Sequence, residues 1–88
     1  MKYMVIEMFR PGSKEKAYAR YEAKGRMLSD RLKYVDSWPT EDGTRCFQLM
    51  ATDDSELFNL WIEKWSDLVE FEIIPVLDSP TKESNMRL

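Results

Sequence analysis

Histidine is absent from the chain, and its absence removes several kinds of catalytic site. Imidazole is the usual general base near neutral pH, the usual partner of a nucleophilic serine or cysteine, and the most common ligand of transition metals. Any acid–base chemistry must therefore come from other side chains, and Asp and Glu are the candidates.

Cysteine is scarce as well, with Cys46 as the single thiol. One cysteine excludes an intramolecular disulfide and any zinc or iron–sulfur site built from several thiolates. The Asp and Glu residues show no spacing typical of a calcium or magnesium loop, so neither a metal nor another cofactor is expected. A lone thiol fits a reducing compartment, and we expect a cytoplasmic protein.

Long apolar runs and an excess of positive charge are also missing. The longest early run, residues 3–6, ends at Glu7 and is too short for a signal peptide or a membrane span. Thirteen basic and 16 acidic residues give a net charge of −3 at pH 7, which is the wrong sign for a surface that binds nucleic acid. We therefore expect neither a membrane nor nucleic acid as a partner.

Aromatic residues, by contrast, are plentiful for a chain of 88 residues, with three Trp, four Tyr and four Phe. This length allows one domain, and a domain so small buries only a modest fraction of its surface. Large aromatic side chains left at that surface favour contact with a partner. We expect that partner to be a second copy of the chain.

Hydrophobic periodicity predicts six elements in the order βαββαβ. Strands are expected at residues 2–9, 32–38, 45–51 and 68–77, where apolar residues alternate. A first helix, capped by Ser13, is expected to run through Gly25 to Leu28. Glycine destabilises a helix, and we expect Gly25 to allow this helix to pack closely on the second helix or on the sheet. A second helix is expected after a capping box formed by Asp53 and Glu56.

This order predicts an α+β fold with a ferredoxin-like sheet of four antiparallel strands and both helices on one face. Pro75 lies in the fourth strand, which is an edge strand in such a sheet, and edge strands tolerate proline. The ferredoxin-like domain is expected to comprise residues 1–77. Residues 78–88 have no hydrophobic period and are expected to form a flexible tail.

Alternation also divides each strand between the two faces of the sheet. The helices are expected to cover Met4, Ile6, Met8, Phe47, Leu49, Val69, Phe71 and Ile73. The open face would then carry Tyr3, Val5, Glu7, Phe9, Cys46, Gln48, Met50, Glu70 and Glu72, together with Tyr34, Asp36 and Trp38. Because so aromatic a face is rarely left in water, we expect a second copy to cover it.

Five segments carry a resemblance to a known family: residues 1–7 (MKYMVIE), 24–28 (KGRML), 37–38 (SW), 42–50 (DGTRCFQLM) and 61–75. Over these segments, and so over nearly the whole chain up to the tail, the sequence resembles a small bacterial family of unknown function. That family is similar in layout to the dimeric α+β barrels, in which two ferredoxin-like sheets face each other. This superfamily includes cofactor-free monooxygenases, dye-decolourising and haem-related enzymes, and stress-responsive proteins. The resemblance implies a fold and a cavity between two sheets, and no single reaction.

The polar residues of the open face are the candidates for chemistry. Asp36 and Glu7 are the candidate catalytic bases, since burial and neighbouring carboxylates raise a carboxyl pKa towards neutrality. The expected ligand-binding set is Tyr3, Glu7, Phe9, Tyr34, Asp36, Trp38 and Gln48. The alternative is that these carboxylates form structural ion pairs with Arg45, Arg26 or Arg10. Cys46 is expected to be a buried, unreactive thiol.

Three functions follow from this face. The first is the binding of a small apolar or aromatic molecule between the sheets of a homodimer. The second is a non-enzymatic dimerisation or interaction module, in which the same face is the interface. The third is a cofactor-free, monooxygenase-like enzyme. Whether the protein is an enzyme is left open at this point.

Overall fold

Strands form where the sequence alternates every second residue, and helices form where apolar residues recur every three or four. The computed structural model describes residues 1–78. Its elements, in chain order, are β1 (Lys2–Phe9), α1 (Lys14–Lys24), β2 (Lys33–Pro39), β3 (Arg45–Ala51), α2 (Leu57–Glu63) and β4 (Val69–Val76). The predicted order βαββαβ is confirmed. A tail was expected at residues 78–88, and of these, residues 79–88 lie outside the described residues.

The four strands form one antiparallel sheet in the order β2-β3-β1-β4, as predicted for a ferredoxin-like fold. β1 lies in the middle of the sheet, between β3 and β4. Pro39 and Pro75 lie in the two edge strands. Proline has no backbone N–H, and an edge strand tolerates this because it pairs with a neighbour on one side only. Neither helix among residues 1–78 is long and apolar enough to cross a membrane.

The hydrophobic core lies between the sheet and the helices. Val5 and Met50 are fully buried, and they share a cluster with Ala17 of α1 and with Phe58 and Trp61 of α2. The partly buried Tyr3, Phe9, Phe71 and Ile73 pack against this cluster. The helices therefore cover the odd-numbered residues of β1.

The expected facing of β1 and β3 was wrong. Met4, Ile6 and Met8 lie on the uncovered face, together with their cross-strand partners Leu49, Phe47 and Arg45. Both sides of β1 are apolar, so alternation alone did not distinguish them. The expected facing of β4 was right, since Val69, Phe71 and Ile73 lie on the helix side, where they pack against the core.

A bulge in β2 divides this strand between the two faces. Tyr34 pairs with Met50, but the register shifts before Asp36, which pairs with Leu49. A bulge inserts one extra residue and reverses the alternation beyond it. Tyr34 therefore lies on the helix side, and its expected place on the open face was wrong. Asp36 and Trp38 lie on the uncovered face, as expected.

The ends of both helices differ from the predictions. α1 ends at Lys24, and Gly25 is its C-cap, with a φ of 65°, a ψ of −158° and its N–H donating to the Tyr21 carbonyl. No atom lies within 4 Å of a Cβ built at this glycine, so close packing is not its role. The capping box is also absent, because Asp53 binds Arg31 and Asp54 accepts the N–H of Glu56 instead.

The backbone conformation at Gly25 predicts the effect of a substitution. Gly25→Ala should destabilise the protein by about 1–3 kcal/mol, because this combination of φ and ψ is almost confined to glycine. Urea unfolding of the variant and the wild type measures the difference. A variant of unchanged stability would contradict a backbone role, since the added methyl group meets no other atom.

Candidate functional site

A cavity of about 230 Å³ lies between the sheet and the helices. Its floor consists of three neighbouring rows across the strands, one with Pro39, Cys46, Glu7 and Phe71, one with Ser37 and Gln48, and one with Phe9 and Val69. Its walls and roof are formed by Ala17, Tyr18, Tyr21, Arg26, Trp61 and Trp65. The exposed side chains of Tyr18, Tyr21 and Pro39 mark the side on which the cavity opens to solvent.

Glu7 is the acidic residue among those that line the cavity. It occupies the middle of β1, opposite Cys46 of β3 and Phe71 of β4, so the pairing of the strands fixes its position. None of the ion pairs formed within residues 1–78 includes it. The alternative of a structural ion pair holds instead for the exposed Glu70, which binds Arg10 at 3.2 Å.

Burial raises the pKa of Glu7 from its ordinary value of 4.5 to about 7. The aromatic walls remove water that would otherwise stabilise the carboxylate. The attraction of the Arg26 guanidinium and, to a smaller extent, the Cys46 thiol oppose this rise in pKa. Glu7 therefore exchanges protons near neutral pH, in the range where a general base is most effective.

Arg26 supplies the positive charge of the cavity. Its guanidinium stacks on Tyr34, with Cζ 3.8 Å from the ring centroid, and lies 5.2 Å from the ring of Tyr21. Its Nη1 donates to the Tyr21 hydroxyl at 3.2 Å, and its Nε lies 3.4 Å from Oε1 of Gln48. The guanidinium is thus held by aromatic faces and neutral acceptors, and it forms no ion pair with a carboxylate of the described residues.

Two indole groups fix the backbone of Arg26. Nε1 of Trp61 donates to the Arg26 carbonyl at 2.9 Å, and Nε1 of Trp65 donates to the same oxygen at 3.1 Å. The two lone pairs of a carbonyl oxygen can accept both bonds. The segment after α1 is thereby tied to α2 and to the turn that follows it. This tie places the Arg26 side chain at the edge of the cavity.

The structure brings some of the expected ligand-binding residues together and separates others. Glu7, Phe9 and Gln48 line the cavity. Tyr34 does not line the cavity, but its ring stacks on the guanidinium of Arg26, which does. Tyr3 packs on Phe58, with a centroid distance of 5.0 Å, and does not line the cavity.

Asp36 and Trp38 lie on the opposite face of the sheet from Glu7. Asp36 accepts the backbone N–H of Ser37, and 48% of Trp38 is exposed. The two candidate bases are therefore on different faces, and Glu7 is the one enclosed by aromatic side chains.

Other cavity residues were not predicted as site residues. Tyr18, Tyr21, Trp61 and Trp65 recur every three or four residues within the helical segments, and this spacing is the signal that could have identified them. Arg26 follows the end of α1, and nothing in its sequence neighbourhood predicts contact with Tyr34 and Gln48. Only the folded chain brings these residues together.

The remaining chemistry of the cavity is limited. Burial and the neighbouring charge of Glu7 raise the pKa of Cys46 to about 11, so the thiol stays protonated at neutral pH and is a poor nucleophile. Within the described part of the chain, no group of three or more Asp, Glu or Cys residues is arranged to hold a metal ion. The residues able to act on a molecule in the cavity are therefore Glu7, Arg26, Gln48 and the tyrosines.

The fold and the cavity define a small α+β protein with a ferredoxin-like sheet and an aromatic pocket beneath its helices. The chain belongs to the family described as "Domain of unknown function (DUF3303)", whose model matches residues 1–84. No curated protein and no solved structure matches the chain. The expected membership of a small family of unknown function is confirmed.

The raised pKa of Glu7 predicts how stability depends on pH. Between about pH 4.5 and pH 7 the folded protein binds more protons than the unfolded chain, so this residue makes stability fall as the pH rises. The loss should approach about 3 kcal/mol above pH 7. Glu7→Gln should remove this component and should be increasingly more stable than the wild type as the pH rises.

Chemical denaturation of both proteins between pH 4.5 and pH 8 measures the effect. Asp53 and Asp67, whose pKa values are lowered by Arg31 and Arg20, affect stability at lower pH and do not interfere. Glu22→Gln, at an exposed position of α1, is the matched control and should follow the wild type. A constant difference between Glu7→Gln and the wild type across this range would contradict the assignment.

Proposed function

We propose that the protein binds a small, largely aromatic or apolar molecule in the cavity between its sheet and its helices. The observation that carries the proposal is the half-buried Glu7 carboxyl, which faces an aromatic cavity and has no ion-pair partner among residues 1–78. Burial of a carboxyl without an ion-pair partner lowers stability, and a ligand that donates a hydrogen bond to it would compensate.

The lining of the cavity supports this ligand class. Phe9, Phe71, Trp61 and Trp65 supply flat apolar surfaces, while Glu7, Arg26 and Gln48 supply a few convergent polar groups. Ligand sites commonly combine mostly apolar walls with a small number of polar groups that fix orientation. The cavity therefore suits a molecule with one aromatic or aliphatic body and one polar group.

The size and charge of the cavity limit the ligand further. A volume of about 230 Å³ is below the roughly 300–1,000 Å³ of sites that hold drug-sized molecules. A strongly anionic ligand would be repelled by Glu7 whenever this residue is ionised. A neutral compound of one or two rings fits both limits.

Filling the cavity should abolish binding. Ala17→Leu places a larger side chain at a buried position of the cavity wall, and it should weaken the binding of phenol and indole at least tenfold. Ala19→Leu is the matched control, because Ala19 is exposed on the same helix, and it should bind both compounds as the wild type does. Titrations followed by ¹H–¹⁵N NMR measure the affinity.

The same titrations locate the ligand. In the wild type, the shifts should concentrate on Glu7, Gln48, Phe71 and the indole N–H groups of Trp61 and Trp65. Equal affinity in the two alanine variants, or shifts confined to the uncovered face of the sheet, would refute a ligand site in the cavity.

A second proposal concerns the uncovered face of the sheet, which we propose is covered by a second copy of the chain. Its apolar residues are Met4, Ile6, Met8, Trp38, Phe47, Leu49 and Ile74. No helix among residues 1–78 packs on this face, and large contiguous apolar patches are uncommon on monomeric proteins. A homodimer of this kind has the layout expected of a dimeric α+β barrel.

The charges around this face favour a second copy over an unrelated partner. Lys2 and Arg45 lie on it together with Asp36, Glu70 and Glu72. A two-fold axis brings the same patch of two copies together, so one patch with charges of both signs can be complementary to itself. Trp38, at one edge of the face, is the residue with the largest apolar area to bury.

Truncation of Trp38 tests the dimer. Trp38→Ala should raise the dissociation constant of the dimer by at least about thirtyfold, because buried tryptophans are frequent hot spots of interfaces. Leu60→Ala, at an exposed position of α2, should leave it unchanged. Sedimentation equilibrium measures both, and a monomeric wild type would refute the proposal.

The two alternative functions, an interaction module and a cofactor-free monooxygenase, predict different results in these experiments. A pure interaction module predicts that Trp38→Ala dissociates the dimer and that phenol and indole do not bind. A cofactor-free monooxygenase needs a base in the cavity, and Glu7 is placed to serve as one. The cytoplasmic location expected from the single cysteine stays a prediction.

A further inference from the structure

Glu7 and Arg26 bring opposite charges into one cavity without forming an ion pair. Among the residues that line the cavity, they are the two with charged side chains. Each is held by its own surroundings, Glu7 by the pairing of β1 and Arg26 by Tyr34, Tyr21 and Gln48. A base and a cation thus line the same cavity, with their charged atoms more than 4.0 Å apart.

We propose that this arrangement isomerises a small, neutral, enolisable carbonyl compound, with Glu7 as the catalytic base and Arg26 as the group that stabilises the enolate oxygen. The inference rests on the proposed function, since it requires that the cavity admit a ligand. It adds a reaction and a substrate class to that function.

The step balances without an oxidant or a cofactor. Glu7 takes the proton from the carbon next to the carbonyl group, and the electron pair of that C–H bond forms a C=C bond. The π electrons of the carbonyl move to its oxygen, which accepts hydrogen bonds from the Arg26 guanidinium. Glu7 then returns the proton to the same carbon or to the far end of a conjugated system, and the second outcome is an isomerisation.

The surroundings of the two residues fit this chemistry. Phe9, Phe71, Trp61 and Trp65 limit the access of water, which strengthens the interaction of a guanidinium with a developing oxyanion. Tyr21 and Gln48 accept hydrogen bonds from Arg26 and orient it, so they are positioning residues. The Cys46 thiol stays protonated and does not compete as a nucleophile.

Two neighbouring groups bear on the protonation of Glu7, Arg26 from the segment after α1 and Cys46 from β3. Tyr18 and Tyr21 of α1 also line the cavity, while α2 and β4 contribute only apolar side chains to it. Burial is the largest influence, and it brings the pKa of Glu7 to about 7. Proton abstraction should therefore be half-maximal near pH 7 and level off above about pH 8, as the carboxylate form becomes complete.

Phenylacetone is a suitable probe because it is a neutral aromatic ketone with acidic protons beside its carbonyl group. Proton–deuterium exchange at these positions in D₂O, followed by ¹H NMR, measures proton abstraction directly. Quenching of tryptophan fluorescence measures binding independently, since Trp61 and Trp65 line the cavity. Exchange by the wild type should exceed the buffer rate and should follow the pH dependence given above.

Three variants assign the roles. Glu7→Gln should retain binding and lose exchange by at least about a hundredfold, as is typical of the loss of a general base. Glu7→Asp keeps the carboxyl group, so it should recover part of the rate and serves as a second test of Glu7. Glu22→Gln, at an exposed position on α1, is the matched control and should exchange as the wild type does.

The outcomes distinguish the proposed isomerase activity from the proposed ligand site on which it rests. Exchange that depends on Glu7 supports the isomerase. Binding of phenylacetone without exchange, or exchange unaffected by Glu7→Gln, overturns the isomerase and leaves the ligand site standing. Absence of both binding and exchange overturns the isomerase, and if phenol and indole also fail to bind, the proposed function fails with it.

Discussion

The site depends on one carbonyl oxygen that accepts two indole N–H groups. Trp61 and Trp65 both donate to the Arg26 carbonyl, so α2 and the turn that follows it hold the segment that leaves α1. Each bond contributes only about 1 kcal/mol to stability. Their structural effect is larger, because Arg26 lies between two residues with positive φ, Gly25 and Met27. The two bonds hold the backbone of Arg26, while Tyr34, Tyr21 and Gln48 hold its guanidinium.

The sheet supplies the opposite wall of the site, and there the determining constraint is register. Pairing of β1 with β3 and β4 puts Glu7 between Cys46 and Phe71, and a shift by one residue would turn it to the other face. The position of the carboxyl is therefore set by backbone hydrogen bonds along whole strands, while that of the guanidinium is set by a few side chains. The two halves of the site differ in how firmly they are held.

The sequence was sufficient for the order of the elements and the topology of the sheet, because alternation and turn residues are local properties. It also gave the facing of β4, where Val69, Phe71 and Ile73 alternate with Glu70 and Glu72. It did not give the facing of β1, since Tyr3, Val5 and Phe9 are as apolar as Met4, Ile6 and Met8. The lone acid of that strand, Glu7, suggested the wrong side, because a carboxylate on the buried face is costly and hence rare. Arg26 was considered only as an ion-pair partner, since its contacts with Gln48, Trp61 and Trp65 join residues distant in sequence.

The bulge in β2 has a consequence for how such a chain can vary in length. β2 is an edge strand with a ladder on one side only, so an extra residue at Val35 disturbs the pairing with β3 and leaves the registers of β1 and β4 intact. An insertion in β1 would instead displace partners on both sides. Insertions and deletions within strands should therefore accumulate at the β2 edge among related proteins. There, each such change would exchange the residues presented to the cavity with those presented to the uncovered face.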